Sequence, residues 1–164
     1  GAAVLTATNS GGFLSAYLGA DGSQREILNL PAGGSRNPAS IDTINKRMHY
    51  MKMKGNELFR VAVRVMVKAA KKSLDKAGLS SNDVDLFIPH QANQRIIDAV
   101  ASRMSIPLEK IYINIPSYGN MSSASSAVAL CEAWEEGRIN NNDLIVLDTF
   151  GGGLVWGSCV IRWA

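Results

Sequence analysis

The stretch VDLFIPHQANQRIIDAVASRM, residues 84–104, decides the fold of this chain. Its first part, 84–89, is a short apolar run after a polar turn, which is typical of a strand that is buried on both faces. From 92 to 104, apolar residues recur every three or four positions, which predicts an amphipathic helix. A buried strand that leads directly into a helix is the repeating unit of α/β folds, so we expect an α/β protein.

The flanking sequence extends this pattern in both directions. Residues 31–54 show no regular pattern and are expected to form a long irregular segment, which is either functional or a surface flap. The remaining helices are predicted at 56–77, ending at Gly78, and at 122–136, which is rich in Ser and Ala. The remaining strands are predicted at 2–8, 13–20, 26–30, 111–113, 144–150 and 154–163, with a hairpin at each end of the chain. We therefore expect an α/β fold in which five of these strands form a mixed five-stranded sheet with helices on both faces.

Composition excludes several classes of protein. The chain has 164 residues, of which 46% are hydrophobic and 19% charged, so it fits one domain with a core and not a disordered segment. A net charge of +3 is too small to indicate a nucleic-acid partner. Two cysteines and two histidines exclude a disulfide scaffold and make a metal site unexpected.

We expect no cofactor and no membrane partner, because no run approaches the roughly 20 apolar residues that span a bilayer. The N-terminus carries no basic leader, which predicts an intracellular, cytoplasmic protein. The chain opens without methionine in an apolar run, as a fragment or a cleaved half would.

Three strand ends carry residues suited to chemistry. His90 follows a buried strand, and ligands of α/β sheets bind at the carboxyl ends of strands; a capping or core histidine is the alternative. Asn120 precedes the Ser/Ala-rich helix and is either a rigidly held amide donor or a helix cap. The run 150–153, Phe-Gly-Gly-Gly, could expose a backbone N–H to an oxyanion, although a tight turn alone explains one or two of these glycines.

The motifs at these strand ends resemble a known family. They read PHQANQRI at 89–96, YGNMSSASSA at 118–127 and FGGGLVWGS at 150–158. In this order and spacing they resemble the C-terminal half of 3-oxoacyl-acyl carrier protein synthase III, in the thiolase superfamily, and KGNELFRVAV at 54–63 resembles the helix that follows the family's substrate loop. The resemblance implies one thiolase-like domain over 1–164, with the cysteine-bearing N-terminal half absent.

Neither cysteine of this chain fits the family's nucleophile, which lies at a helix N-terminus. Cys131 is predicted in the middle of a helix and Cys159 within the last strand, so both are expected to be inert packing residues. This chain alone is therefore expected to be an inactive part of an acyltransferase.

The resemblance implies a decarboxylating Claisen condensation in fatty acid biosynthesis. An acyl group from a coenzyme A thioester is carried on the absent cysteine and is attacked by the carbanion formed from malonyl-acyl carrier protein. His90 and Asn120 would donate hydrogen bonds to the enolate oxygen, and the backbone N–H of Gly152 would serve the other oxyanion. The substrate tunnel would include four residues near one helix start: Met53, Gly55, Phe59 and Ala62.

Basic residues support an acidic acyl carrier protein as partner. The resemblance assigns carrier-protein binding to Arg95 and Arg103, and Arg60 is added to them as the first residue of a basic stripe on one helix. Independently of the family, a basic stripe of Arg60, Arg64, Lys68 and Lys71 or Lys72 recurs at helical spacing, although such a face is often only solvated. The other implied partners are coenzyme A thioesters, the N-terminal half of the same enzyme, and a second copy in a homodimer.

Two alternatives stay open from the sequence. One is a related condensing enzyme of polyketide or alkene biosynthesis, which shares the histidine and the asparagine. The other is a non-catalytic thiolase-like interaction module. A cysteine-bearing homologous half encoded directly upstream would favour an enzyme, and unrelated sequence there would favour the module.

Overall fold

The structure, a computed structural model, describes all 164 residues as a mixed α/β fold. The main sheet has four strands in the order β1-β6-β5-β4, and a two-stranded ribbon pairs β2 with β3. The strands are β1 Gly12–Ala20, β2 Leu28–Asn29, β3 Lys52–Met53, β4 Leu86–Pro89, β5 Leu144–Gly151 and β6 Val155–Arg162. The helices are α1 Ile41–Asn45, α2 Gly55–Lys76, α3 Gln94–Met104, α4 Ile115–Tyr118 and α5 Ala124–Glu135. Only β4 and β5 run parallel, so the mixed sheet is confirmed.

Helices α2 and α3 cover one face of the sheet, because each has an apolar stripe at helical spacing. Ala62, Met66 and Ala70 of α2 and Ile97 and Val100 of α3 are fully buried, in one cluster with side chains of β4 and β5. Burial of a large aliphatic side chain stabilises a fold by roughly 1.5–3 kcal/mol. This cluster is therefore the main core of the chain.

Helix α5 covers the opposite face, as the Ser/Ala-rich sequence allows. Ala129 and Ala133 are fully buried against Leu86, Ile88 and Ile145, which point away from α2. Because alanine projects only a methyl group, the axis of α5 can lie close to the strands. Helices on both faces of the sheet are thus confirmed.

Two predicted strands differ in the structure. Residues 2–8 form no strand, and Val4 and Leu5 are 92% and 93% exposed, so the N-terminal hairpin prediction was wrong. Strand β1 pairs instead with β6, and although its outer edge is free, residues 2–8 do not pair with it and are exposed along their whole length. The predicted strand at 111–113 is reduced to one parallel bridge between Ile111 and Phe87, because the chain enters α4 at Ile115, four residues after Ile111. The main sheet therefore has four strands, not five.

The irregular segment 31–54 is partly ordered by side-chain hydrogen bonds. Ser40 and Thr43 form a capping box at the start of α1, and Thr43 also bonds His49. At its end, Met53 pairs with Leu28 in the ribbon. No helix in the structure is both long enough and apolar enough to cross a membrane.

Candidate active site

His90 lies at the carboxyl end of β4, where it is held against the neighbouring strand. Its backbone N–H donates to the carbonyl of Asp148 at 2.7 Å, and its ring meets Phe150 edge-on, with the centroids 6.0 Å apart. Burial lowers the pKa of His90 below the ordinary value of 6.5. The imidazole is therefore neutral at pH 7 and offers one N–H donor and one acceptor.

The glycine turn joins β5 to β6 beside His90. Leu154, directly after the turn, exchanges two backbone hydrogen bonds with Asp21, at 2.8 and 3.1 Å. A Cβ atom on Gly152 would lie 3.6 Å from the carbonyl oxygen of Leu28, so the ribbon passes close to the turn. Gly153 has φ +142°, a conformation that favours glycine. The turn is thus held from one side while Gly152 stays exposed.

The predicted tunnel residues fall into two groups. Met53 in the ribbon and Gly55 at the start of α2 are exposed, and the N–H of Lys54 between them donates to the carbonyl of Ile27 at 2.9 Å. Since Met53 pairs with Leu28, these residues lie near the glycine turn. Ala62, in contrast, is fully buried in the main core, two turns into α2.

Phe59 links the start of α2 to the start of α3. It is half-buried, and the guanidinium carbon of Arg95 lies 5.5 Å from its ring centroid. This distance fits a cation–π contact, so a predicted tunnel residue and a predicted docking residue touch each other.

Asn120 follows α4 and is exposed. Its side-chain oxygen accepts a hydrogen bond from the backbone N–H of Ser122 at 2.8 Å, while no acceptor in the chain bonds its Nδ2 group. Helix α5 begins later, at Ala124, so Asn120 stabilises the preceding turn and does not cap the helix itself. Both amide hydrogens remain available to a ligand.

Gln91, which sequence reasoning missed, connects the His90 segment to the Asn120 segment. It is fully buried and bonds Pro89, Tyr112, Asn114 and Ile115 through its side chain. A polar residue next to His90 was the only signal in the sequence, and its partners became visible only in the fold.

Glu132 of α5, also missed, holds the same segment from the other side. Its carboxylate accepts hydrogen bonds from Asn114 Nδ2 at 2.8 Å, from the Tyr118 hydroxyl and from the Tyr112 hydroxyl at 3.4 Å. These bonds, led by that from Asn114, lower the pKa of Glu132. The carboxylate is therefore charged and anchors α4 to α5.

The three predicted carrier-protein residues are exposed but do not lie together. Arg95 is in the first turn of α3, and Arg103 is in its last turn, about 12 Å further along the axis. Arg60 lines a cleft of about 370 Å³ with Arg64 and Glu57. Arg60 follows Phe59 in α2, so the Arg95–Phe59 contact places Arg95 and Arg60 at the same end of the helix pair.

Neither cysteine has the surroundings of a nucleophile. Cys131 is exposed on α5, and the nearby charge of Glu135 raises the pKa of its thiol. Cys159 is half-buried on β6, and burial raises the pKa of its thiol. Both shifts disfavour the thiolate. The expectation that Cys131 is a packing residue was wrong, because the side chain faces solvent. The structure contains no cluster of three His, Cys, Asp or Glu residues that could hold a metal.

The fold is that of thiolase-like condensing enzymes. The crystal structure of 3-oxoacyl-[acyl-carrier-protein] synthase III from Aquifex aeolicus superposes with a TM-score of 0.83 at 41% identity, covering 96% of this chain and 47% of that one. The Thermus thermophilus enzyme gives a TM-score of 0.84 at 39% identity, over 97% and 48% of the two chains. OleA from Xanthomonas campestris, at 17% identity and a TM-score of 0.76 over 94% and 40%, shares the fold.

Sequence relatives identify the family. Residues 74–163 match the family described as 3-Oxoacyl-[acyl-carrier-protein (ACP)] synthase III C terminal. A beta-ketoacyl-[acyl-carrier-protein] synthase III from Natranaerobius thermophilus is 52% identical over 99% of this chain and 51% of its own length. One from Desulfitobacterium hafniense is 51% identical over 100% and 50%. This chain belongs to the 3-oxoacyl-[acyl-carrier-protein] synthase III family, and it spans about half the length of the curated relatives it matches.

Proposed function

We propose that residues 1–164 form the C-terminal catalytic half of an initiating 3-oxoacyl-acyl carrier protein synthase of fatty acid biosynthesis. The observation that carries this proposal is the contact of the His90 ring with Phe150, which directly precedes the glycine turn, together with the unbonded amide hydrogens of Asn120. The reaction is the decarboxylating condensation of an acyl-coenzyme A with malonyl-acyl carrier protein, and no cofactor takes part.

In the decarboxylation step, the bond between the malonyl methylene carbon and its carboxylate breaks. Carbon dioxide leaves, and the electron pair moves onto the thioester oxygen as an enolate. His90 and Asn120 each donate one hydrogen bond to that oxygen. A fixed donor in a water-excluded site is worth roughly 2.7–4 kcal/mol, and the amide of asparagine keeps its hydrogens at every pH.

In the condensation step, the enolate carbon attacks the acyl thioester and expels the thiolate that carried the acyl group. The tetrahedral oxyanion accepts a hydrogen bond from the backbone N–H of Gly152. The thiolate belongs to a cysteine in an N-terminal half, because the thiols of Cys131 and Cys159 both have raised pKa values. We therefore expect this chain alone, supplied with acyl-coenzyme A and malonyl-acyl carrier protein, to form no product. Acyl transfer to either thiol with normal turnover would contradict this assignment.

The partners follow from the same proposal. The acidic carrier protein docks near Arg95 and Arg60, at the end of α2 and α3 where the predicted tunnel opens beside Phe59. Arg103 lies at the far end of α3 and contributes less. The complete enzyme works in the cytoplasm as a homodimer.

The experiment separates the two half-reactions in the complete enzyme. His90→Ala should leave acylation of the nucleophilic cysteine intact, measured by intact mass, and reduce carbon dioxide release from malonyl-coenzyme A by a factor of roughly 10²–10³. Equal losses in both half-reactions would show that His90 supports the fold of the site and does not stabilise the enolate.

A priming enzyme of polyketide biosynthesis is the second candidate. The priming beta-ketosynthase from the R1128 polyketide pathway superposes with a TM-score of 0.78 at 30% identity, over 93% of this chain and 45% of that one. Competition between fatty acid and polyketide carrier proteins in the condensation assay distinguishes the two functions. A preference for the polyketide carrier would favour this candidate.

A further inference from the structure

We propose that Gln91 is a positioning residue that fixes the two oxyanion donors, His90 and Asn120, at the relative position in which both can bond the same oxygen. The inference rests on the function proposed above for these donors. Gln91 itself is fully buried and faces no ligand, so its role is to act through its neighbours.

The side chain of Gln91 uses all of its hydrogen-bonding capacity. Its Nε2 group donates to the carbonyls of Pro89 at 2.8 Å and Tyr112 at 3.1 Å. Its Oε1 atom accepts from the backbone N–H groups of Asn114 at 3.1 Å and Ile115 at 3.2 Å. A side-chain amide has two hydrogens and two acceptor sites, so this geometry permits only one orientation of the group.

These four bonds join two separate segments of the chain. Pro89 directly precedes His90, whereas Asn114 and Ile115 begin the turn of α4. The backbone bond from Gly119 N–H to the carbonyl of Ile115, at 2.8 Å, carries the constraint to the residue before Asn120. A continuous path of hydrogen bonds therefore runs from one donor to the other through Gln91.

The sheet does not provide this constraint. Where a fifth strand was predicted, the backbone makes one isolated bridge between Ile111 and Phe87, with the N–H of Tyr112 donating to the Phe87 carbonyl at 3.0 Å. After that bridge, the side chain of Gln91 makes the hydrogen bonds to Tyr112, Asn114 and Ile115 that a neighbouring strand would otherwise make. Glu132 fastens the outer side of the segment, but it lies on α5 and has no hydrogen bond to the His90 strand.

The consequence for catalysis is specific to one half-reaction. The enolate needs both donors at hydrogen-bonding distance at the same time, and a displacement of about 1 Å in such a site can cost roughly 10²-fold in rate. Acylation of the nucleophile precedes enolate formation and uses neither donor. A positioning residue therefore lowers the decarboxylation rate per acylated site, whereas a purely structural residue lowers only the amount of folded enzyme.

The test compares Gln91→Glu and Gln91→Met in the complete enzyme with Gln94→Glu as the matched control. The glutamate variant loses both N–H donors at constant shape, and the methionine variant loses all four bonds without adding charge. Gln94 lies three residues further along and bonds only Asp98, so its variant makes the same chemical change outside the path. Carbon dioxide release from malonyl-coenzyme A is divided by the number of acylated sites, which counts only folded molecules.

We expect both Gln91 variants to lower this normalised rate by roughly 10- to 100-fold, with KM for malonyl-coenzyme A within about twofold of wild type and Gln94→Glu unchanged. A normalised rate equal to wild type would overturn the positioning role. His90→Ala, measured in parallel, separates the two proposals. If it decarboxylates normally, the proposed function fails; if it is inactive while the Gln91 variants are normal, only the present inference fails.

A measurement on the wild-type enzyme covers the case in which neither variant folds. Hydrogen exchange should show the amides of Asn114 and Ile115 protected as strongly as those of the central strand β5, although their only acceptor is a side chain. Fast exchange of both amides would also overturn the proposal.

Discussion

Replacing Asn120 by aspartate separates the two roles that its side chain could have. In the structure, the side-chain oxygen accepts the Ser122 N–H at 2.8 Å, and the Nδ2 group has no acceptor in the chain. Asn120→Asp keeps the shape and the acceptor but removes both N–H donors. Asn120→Ala removes the acceptor as well. The pair therefore distinguishes a donor for the enolate from a residue that only stabilises a turn.

The expected magnitudes differ for the two roles. Loss of an oxyanion donor costs roughly 2.7–4 kcal/mol of transition-state stabilisation, or about 10²–10³ in rate, and both variants should show it. Loss of the turn hydrogen bond costs about 0.5–1.5 kcal/mol of folding stability, and only the alanine variant should show that. The carboxylate of the aspartate variant accepts from Ser122 at least as well as the amide did.

The assay again uses the complete enzyme and both half-reactions. Intact mass measures acylation of the cysteine, and carbon dioxide release from malonyl-coenzyme A measures decarboxylation. Thermal unfolding measures the folding stability that the turn hydrogen bond contributes. If Asn120→Asp decarboxylates like wild type while Asn120→Ala does not, the side chain acts through the turn. Wild-type decarboxylation in both variants would remove Asn120 from the catalytic assignment.

Three further predictions concern docking and pH. Arg95→Glu should raise KM for malonyl-acyl carrier protein at least tenfold more than KM for malonyl-coenzyme A in steady-state kinetics. Lys71→Glu, further along α2, should have a smaller effect. Equal increases in KM for the two malonyl donors would mean that Arg95 supports the fold. Burial lowers the pKa of His90. As pH falls below 6.5, the histidine is therefore protonated in the unfolded chain while it stays neutral in the folded protein. In denaturant unfolding, the free energy of unfolding of wild type should fall by up to about 1.4 kcal/mol per pH unit below pH 6.5, relative to His90→Gln. If the two variants show the same dependence of this free energy on pH, the lowered pKa of His90 is contradicted. Asp148 is fully buried without a side-chain partner, and burial raises its pKa well above 3.8, so the folded protein keeps a proton that the unfolded chain loses as pH rises from that value. Asp148→Asn should therefore gain stability relative to wild type with rising pH, and an unchanged difference would show that the carboxyl is ionised in the fold.

Local patterns were sufficient for the elements that bury a continuous stripe or run. The predicted helices 56–77 and 92–104 agree closely with α2 and α3, and the strands around the glycine turn agree with β5 and β6. In these elements the buried apolar residues recur in the sequence at the period of a helix or form the continuous run of a buried strand. Residues 2–8 carry a similar apolar run but are exposed along their whole length, because a strand also needs a packing partner that buries its apolar face. That requirement depends on the whole sheet and could not be read locally.

The candidate site divides in the same way. His90, Asn120 and Gly152 were named as candidates because each stands in a motif that resembles the family. Gln91 and Glu132 were not, since their partners other than Pro89 lie 14 to 24 residues away in sequence and only the fold brings them together. Gln91 itself lies inside the motif at 89–96, so the motif alone did not reveal its positioning contacts, which only the fold defines.

The hydrogen bonds within this chain indicate which steps of the proposed reaction depend on which half of the enzyme. Under the proposed function, the donors for both oxyanions are ordered within this chain: His90 is fixed to Asp148, the glycine turn is fixed to Asp21, and the Asn120 segment is fixed through Gln91. Preorganised donors need no rearrangement when negative charge develops, which is why they lower a barrier. The nucleophile must therefore be brought to donors that are already in place. On this view the second half-reaction depends on the internal geometry of this chain, and the first depends on how the cysteine is presented to it.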